Sequence, residues 1–234
     1  MSGINATFSI IVPLFNEEEN IVLFYQKLKE AIKNLTLRHE IIFIDDGSSD
    51  MTCEMLGRLK ETDNEIKIIK FSRNFGQSSA FMAGFNLASG DLAITIDADL
   101  QCDPQYIPAI IEELRQGADI VCTFRQINNL SKFFKRAPSI IANFLGALVF
   151  NLKIHDFSCS FRGYTKDFYK NLILSNGLHR FIPVFAKFEN KRIKEIKINC
   201  SERKRGSSKY NSSRFPKVIK DAVFLKISEL FFNK

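Results

Sequence analysis

The 234-residue chain carries 33 Lys and Arg against 26 Asp and Glu, a formal charge of +7, with 45% hydrophobic and 25% charged residues. That composition excludes wholesale disorder and provides ample chain for a buried core, in one large domain or two small ones. The net charge hides a division: residues 1–125 hold 11 basic and 19 acidic side chains, a net of −8, and residues 126–234 hold the remaining 22 basic and 7 acidic, a net of +15.

The first half alternates between short apolar runs and amphipathic stretches. Phe8–Val12 predicts a strand that ends in Pro-Leu-Phe-Asn. Helical spacing follows from Glu17 to Leu35, with Asn16 as N-cap and Glu19 at the third helical position. Ile41–Ile44 is a second buried strand, closed by Asp45-Asp46-Gly47-Ser48-Ser49-Asp50 and a helix to about Lys60. Ile66–Phe71 is a third strand, followed by a helix over Gln77–Ala88. Leu92–Ile96 is a fourth, ending in Asp97-Ala98-Asp99. A helix opened by Pro104 reaches Gln116, and Asp119–Phe124 is a fifth strand. Continuous apolar strands separated by amphipathic helices predict an α/β fold, a mostly parallel sheet with helices on both faces. Ligands bind such sheets beyond the carboxyl ends of the strands, where Asn16–Glu19, Asp45–Asp50, Arg73–Gln77 and Asp97–Asp103 fall.

After Arg125 the rhythm changes. Lys132, Lys135 and Arg136 precede an apolar helix running from Pro138 to Leu152. His155–Tyr164 reads as an extended segment and Ile193–Cys200 as an edge strand, with Arg192, Lys194 and Lys197 on a solvated face. Ser201–Arg214 reads as a basic loop and Phe215–Phe232 as an amphipathic helix. With no obvious linker and no repeat, the expectation is a single domain over 1–234 with a basic C-terminal subregion.

Five widely spaced cysteines without C-x-x-C, and three histidines without ligand spacing, argue against a disulfide framework and a zinc site. Reduced thiols in a cytoplasmic protein are the simplest reading. The N-terminus lacks the pattern of a signal peptide, and no apolar run reaches the ~20 residues that span a bilayer. G-x-G-x-x-G and the P-loop pattern are both absent, which removes the main support for dinucleotide and P-loop readings. Asp97-x-Asp99 directly after a buried strand supplies two hard oxygen ligands suited to Mg²⁺ or Mn²⁺ shared with a substrate's phosphates. The same pattern also arises by chance, or as a turn or helix cap.

In order along the chain, SIIVPLFNEEENI, IDDGSSD, FSRNFGQSSAFMAGFNLASGD and DADLQCDPQYIP resemble family 2 glycosyltransferases of the GT-A fold. KRAPSIIANFLG, IHDFSCSFRGYTKD, HRFIPVFA and ERKRGSSKY narrow the resemblance to the polyprenyl-phosphate glycosyltransferases, the group that includes dolichyl-phosphate mannose synthase. The resemblance implies inverting, metal-dependent transfer of a sugar from a nucleotide diphosphate sugar to a polyprenyl phosphate of undecaprenyl type. Pro13, Phe15, Asn16 and Glu17 would line the nucleotide pocket, with Asp45, Asp46 and Asp97. Asp97, Asp99 and Gln101 would hold the Mg²⁺ or Mn²⁺, and Arg125 would lie near the donor diphosphate. Arg136 and Ser139 match positions associated with the lipid phosphate. Arg203 and Lys209 match a basic loop that meets the phosphates, so Asp97, Asp99, Arg125 and Arg203 are the implied catalytic set. The D-A-D-L-Q-x-D-P form resembles bacterial members that use UDP-sugars more than mannose synthases that use GDP-mannose, which implies a UDP-sugar donor.

On this reading residues 1–125 bind nucleotide and metal, and residues 126–234 bind the acceptor and face a membrane. His155 and His179 are structural and Cys159 is buried. Relatives often continue into two transmembrane helices. A chain ending at Lys234 is therefore expected to act peripherally at the cytoplasmic face of an anionic membrane, with room for a membrane-protein subunit. Asp156-Phe157-Ser158-Cys159-Ser160-Phe161-Arg162 departs from the relatives' D-x-G-C-x-[LM]-R, Ser158 replacing Gly and Phe161 the aliphatic residue, next to the acceptor or sugar pocket. The rival readings are a transferase with a soluble saccharide or protein acceptor, and a non-catalytic nucleotide-binding scaffold at a membrane. A nucleic-acid partner is not expected, because the basic surface would have to coexist with an acidic crevice and the chain has no recognisable binding motif.

Overall fold

The computed structural model describes residues 7–126, 143, 146–175, 177–201 and 226. Strands β1 (Phe8–Leu14), β2 (His39–Asp45), β3 (Ile66–Lys70) and β4 (Leu92–Thr95) alternate with helices α1 (Ile21–Ile32), α2 (Thr52–Thr62) and α3 (Gln77–Leu87). A short 3₁₀ turn at Pro104–Tyr106 leads into α4 (Ile107–Arg115), followed by β5 (Ile120–Arg125). The second half contributes β6 (Arg162–Thr165), α5 (Lys166–Tyr169), α6 (Ile182–Phe188) and β7 (Ile193–Ile198). Together the strands form one seven-stranded sheet in the order β3-β2-β1-β4-β6-β5-β7, parallel except for β6, which runs antiparallel to both β4 and β5. This is the mostly parallel α/β sheet that the apolar runs predict.

Side-chain alternation along the strands divides the core into two layers. Ile10, Val12, Ile41 and Phe43 pack with Phe24 and Leu28 of α1, Leu56 of α2 and Ile110 of α4 on one face. Ile11, Ile42 and Ile44 pack with Phe81 and Phe85 of α3, Phe168 of α5 and Ile182 of α6 on the other. Each of these large side chains removed from water stabilises the fold by roughly 1.5–3 kcal/mol. The central strands, buried on both faces, are therefore continuous apolar runs, which is why they stand out in the sequence.

The strand order places β6 between β4 and β5, and Gly163 makes that insertion possible. A Cβ at Gly163 would lie 2.3 Å from Ile110 Cγ2 of α4, so a larger residue would push the helix off the sheet. One local expectation is corrected: Asn16 is not a helix N-cap. Its backbone adopts φ +52°, and α1 begins only at Ile21 after a turn in which the buried Glu17 carboxylate accepts from Asn20 Nδ2 at 2.7 Å. Of the apolar helix expected from Pro138 to Leu152, residues 143 and 146–149 are helical and the chain leaves the helix at Phe150. The remainder of that helix and the Phe215–Phe232 helix lie outside the described residues, apart from the helical Lys226.

Candidate active site

The carboxyl ends of β1, β2 and β4 open onto one cleft of about 180 Å³, with Pro13, Phe15, Glu17, Asp46, Asp97 and Asp99 in its walls. The parallel sheet brings these together because each strand ends at the same edge in register, Leu14 opposite Asp45 and Ile11 opposite Thr95. A larger depression of about 710 Å³, bordered by Lys29, His39 and Glu65, lies at the opposite edge of the sheet and is crossed by the Lys29–Glu65 ion pair. The carboxylate cleft is therefore the site.

Asp97 is its centre. Its Oδ1 accepts from Gln77 Nε2 at 2.8 Å and its Oδ2 from Ser160 Oγ at 2.5 Å. Burial, reinforced by the neighbouring charge of Asp99, pushes the Asp97 carboxyl up to about 6; the Ser160 hydrogen bond and the Arg125 charge act in the opposite direction. Asp99 Oδ1 accepts from the Gln101 amide at 3.1 Å across Leu100, whose backbone is left-handed at φ +60°. Gln101 itself is not among the residues that wall the cleft.

Asp45 and Asp46 divide between wall and support. Asp46 presents both oxygens to the β3–α3 loop, accepting from the Phe75 amide at 2.7 Å and the Gly76 amide at 2.9 Å. Burial raises its pKa, and the Asp45 charge adds to the effect. Asp45 is fully buried; its Oδ1 accepts from the Ser48 amide at 2.9 Å, while its Oδ2 has no hydrogen-bond partner among the described residues. Asn16 binds the β1 and β2 loops together, its amide donating to Ser48 Oγ at 2.9 Å and its Oδ1 accepting from the Ser49 amide at 2.8 Å.

Arg125, at the end of β5, is gripped by the second half of the chain. Its Nε donates to Asp156 Oδ2 at 2.7 Å and its Nη2 to Asp156 Oδ1 at 3.2 Å and to Ser158 Oγ at 2.5 Å. Burial would raise the Asp156 carboxyl, but the guanidinium beside it holds the group below its ordinary range. His155 and His179 do not line the cleft and are engaged elsewhere, His179 Nδ1 with Ser78 Oγ at 2.8 Å and His155 Nδ1 with Glu195 at 2.7 Å. Arg136, Ser139, Arg203 and Lys209 lie outside the described residues.

Gln77 and Ser160, which bond the two Asp97 oxygens, were given no role by motif reading, although Arg73–Gln77 was placed at this edge of the sheet. Gln77 opens α3 and lines the cleft beside Asn74 and Gly76. Ser160 sits within the departing D-F-S-C-S-F-R segment, which was the one signal available for it. Among the described residues no group of three His, Cys, Asp or Glu side chains is arranged to hold a metal. Asp97 and Asp99 are thus a pair of carboxylates in the cleft wall rather than part of such a group.

The sequence profile described as Glycosyl transferase family 2 matches residues 9–173. A curated relative from Photorhabdus laumondii, named undecaprenyl-phosphate 4-deoxy-4-formamido-L-arabinose transferase, is 36% identical over 92% of this chain and 66% of its own length. The protein of the same name from Salmonella choleraesuis is 35% identical over the same shares. The chain thus spans slightly under two thirds of the length of these relatives. Among solved structures, glucosyl-3-phosphoglycerate synthase from Mycobacterium tuberculosis with phosphoglyceric acid superposes with a TM-score of 0.69 at 18% identity, covering 96% of this chain and 80% of that one. The same synthase with Mn²⁺, UDP and glucosyl-3-phosphoglycerate gives 0.66 at 17% identity over the same shares. With the profile match covering most of the chain and the acidic cleft at the carboxyl edge of its sheet, this protein belongs to glycosyl transferase family 2.

Proposed function

We propose that the chain carries the catalytic domain of an inverting glycosyltransferase that moves a sugar from a UDP-sugar to a polyprenyl phosphate, dependent on Mg²⁺ or Mn²⁺. The observation that carries this reading is the Asp97–Asp99 pair in the cleft. Burial raises the Asp97 carboxyl and the adjacent Asp99 charge raises it further, so a cation between the two carboxylates would be favoured. Its carboxylate oxygens match the preference of hard divalent ions. Asp97 and Asp99 would hold the metal, with Gln101 fixing Asp99 through its amide. When bound, that ion would neutralise charge on the leaving nucleoside diphosphate.

The chain's own residues account for the remaining requirements. The Asp45 Oδ2, buried without a partner among the described residues, is suited to accept from the donor's base or ribose. Gln77 and Ser160 hold the Asp97 oxygens in place before substrate arrives, the preorganisation that electrostatic catalysis needs. Arg125, fixed by Asp156, adds positive charge toward Asp97. An acceptor phosphate monoester has a second pKa near ~6 and is largely dianionic at neutral pH. It can attack the anomeric carbon without a protein base, which fits a cleft walled by carboxylates, with His155 and His179 not among its lining residues. The names of the curated relatives support undecaprenyl phosphate as acceptor, and UDP in the structural neighbours supports the donor. No helix among the described residues is long and apolar enough to cross a membrane. Arg136, Ser139, Arg203 and Lys209 are proposed to contact the acceptor phosphate in a basic half apposed to an anionic cytoplasmic leaflet, with or without a membrane-protein subunit.

Calorimetry with UDP and GDP, with and without Mn²⁺, tests the donor site, and metal-dependent binding of UDP over GDP is expected. Transfer of radiolabelled sugar into undecaprenyl phosphate should fall roughly 10²–10³-fold in Asp99→Ala. Wild-type turnover by that variant would overturn the mechanism, and transfer only to soluble acceptors would overturn the lipid assignment.

A further inference from the structure

Outside the carboxylate cleft, three of the five thiols converge. Cys102 and Cys200 face each other in an isolated antiparallel bridge with their sulfurs 2.9 Å apart, although they are 98 positions apart in the chain. The Ser201 amide donates to the Gln101 carbonyl at 2.9 Å, flanking the two cysteines rather than joining them. They are thus a non-hydrogen-bonded antiparallel pair, whose Cα atoms lie about 4.5 Å apart with side chains at closest approach. That separation falls within the range of about 4.4–6.8 Å that a disulfide spans without moving backbone. Both residues are partly exposed, in contrast to the buried Cys122 and Cys159. Cys159 is buried against Thr123 Oγ1 at 3.1 Å, and Cys122 is fully buried. Three thiols in one place raise the question of a metal, but the described residues form no such ligand group.

We propose that Cys102 and Cys200 are a reversible thiol–disulfide site, oxidised by small-molecule disulfides such as oxidised glutathione. The Cys200 thiolate attacks one sulfur of the small disulfide; the S–S bond breaks and one small thiolate leaves with the bonding electron pair. Cys102 then attacks the Cys200 sulfur of the mixed disulfide, loses its proton to solvent and expels the second small thiolate. The two protein thiols give up two electrons and two protons, and one small disulfide becomes two small thiols. The new bond ties the segment just after the Asp97–Gln101 turn to the end of edge strand β7, stapling the acidic half to the basic half. Nothing in this site depends on the transfer reaction, so its test reads covalent structure.

The reduced full-length chain is equilibrated in glutathione buffers from fully reduced to fully oxidised, free thiols are alkylated, and peptides are mapped under non-reducing conditions. The expected result is a Cys102–Cys200 cross-linked peptide that grows with the oxidised fraction and disappears on adding excess thiol. Closure of so long a loop should raise Tm by on the order of 5–10 °C. Cys102→Ser should replace the cross-link with a glutathione adduct at Cys200, whereas Cys53→Ser should leave it intact. Glutathione adducts without the cross-link in the wild-type chain would overturn the proposal, as would a Cys102–Cys159 bond in its place.

Discussion

The Ser160 hydroxyl donates to Asp97 Oδ2 at 2.5 Å from 63 positions away in the chain, linking the segment before β6 to the central carboxylate of the cleft. This bond favours the ionised carboxylate and so opposes the burial and Asp99 repulsion that raise Asp97 to about 6. Ser160→Ala should therefore move the acid limb of kcat/KM upward by about 0.5–1 pH unit. Transfer should drop several-fold near pH 6.5 and approach wild type above about pH 8. A pH–rate profile of both proteins checks this; an equal loss at every pH would mean that Ser160 acts through packing alone.

Arg125 and Asp156 form the corresponding fixed pair on the cationic side, with two guanidinium nitrogens on one carboxylate. A lysine can supply the charge but not the fork, so Arg125→Lys should cost about 1–3 kcal/mol. Arg125→Ala should cost about 3–5 kcal/mol because it leaves Asp156 buried and unpaired. Combining Arg125→Met with Asp156→Asn should recover part of that loss. Urea unfolding of the three variants measures the difference.

Gly47 sits at φ +73° between Asp46 and Ser48, and a Cβ there would lie 2.4 Å from the Arg73 carbonyl carbon. The neighbour is backbone and cannot rotate away. Gly47→Ala should destabilise the chain by about 2–3 kcal/mol and weaken UDP binding, because the same shift displaces the Asp46 clamp on Phe75 and Gly76. Thermal unfolding and UDP calorimetry on one preparation check both effects.

Glu40 predicts the acid behaviour of the fold. Burial alone would raise its carboxyl, but Lys67, Ser9 and Ser89 together hold it down to about 2, against an ordinary 4.5. A depressed folded-state pKa contributes stability that is present above about 4.5 and lost as pH falls toward 2. Glu40→Gln should therefore cost about 1–2 kcal/mol at neutral pH, after allowance for solvent screening, and much less near pH 2. Unfolding midpoints of both proteins across that range would show the two curves converging in acid.

Much of this architecture was legible in the amino-acid order because its causes are local. A strand buried on both faces must be apolar throughout, so β1, β2 and β4 appear as uninterrupted runs. The polar residues following each run fall at one edge of the sheet, which located Asp45, Asp46, Asp97 and Asp99 before any coordinates. The ordered motifs around them carried the family. What tertiary structure alone decided is non-local. The insertion of β6 between β4 and β5 depends on Gly163 lying under Ile110, and it is this insertion that brings Ser160 to Asp97. The Arg125–Asp156 fork and the facing sulfurs of Cys102 and Cys200 likewise join residues that no periodicity relates. Spacing along a chain reports which face a side chain occupies, whereas strand order and register determine what that face meets.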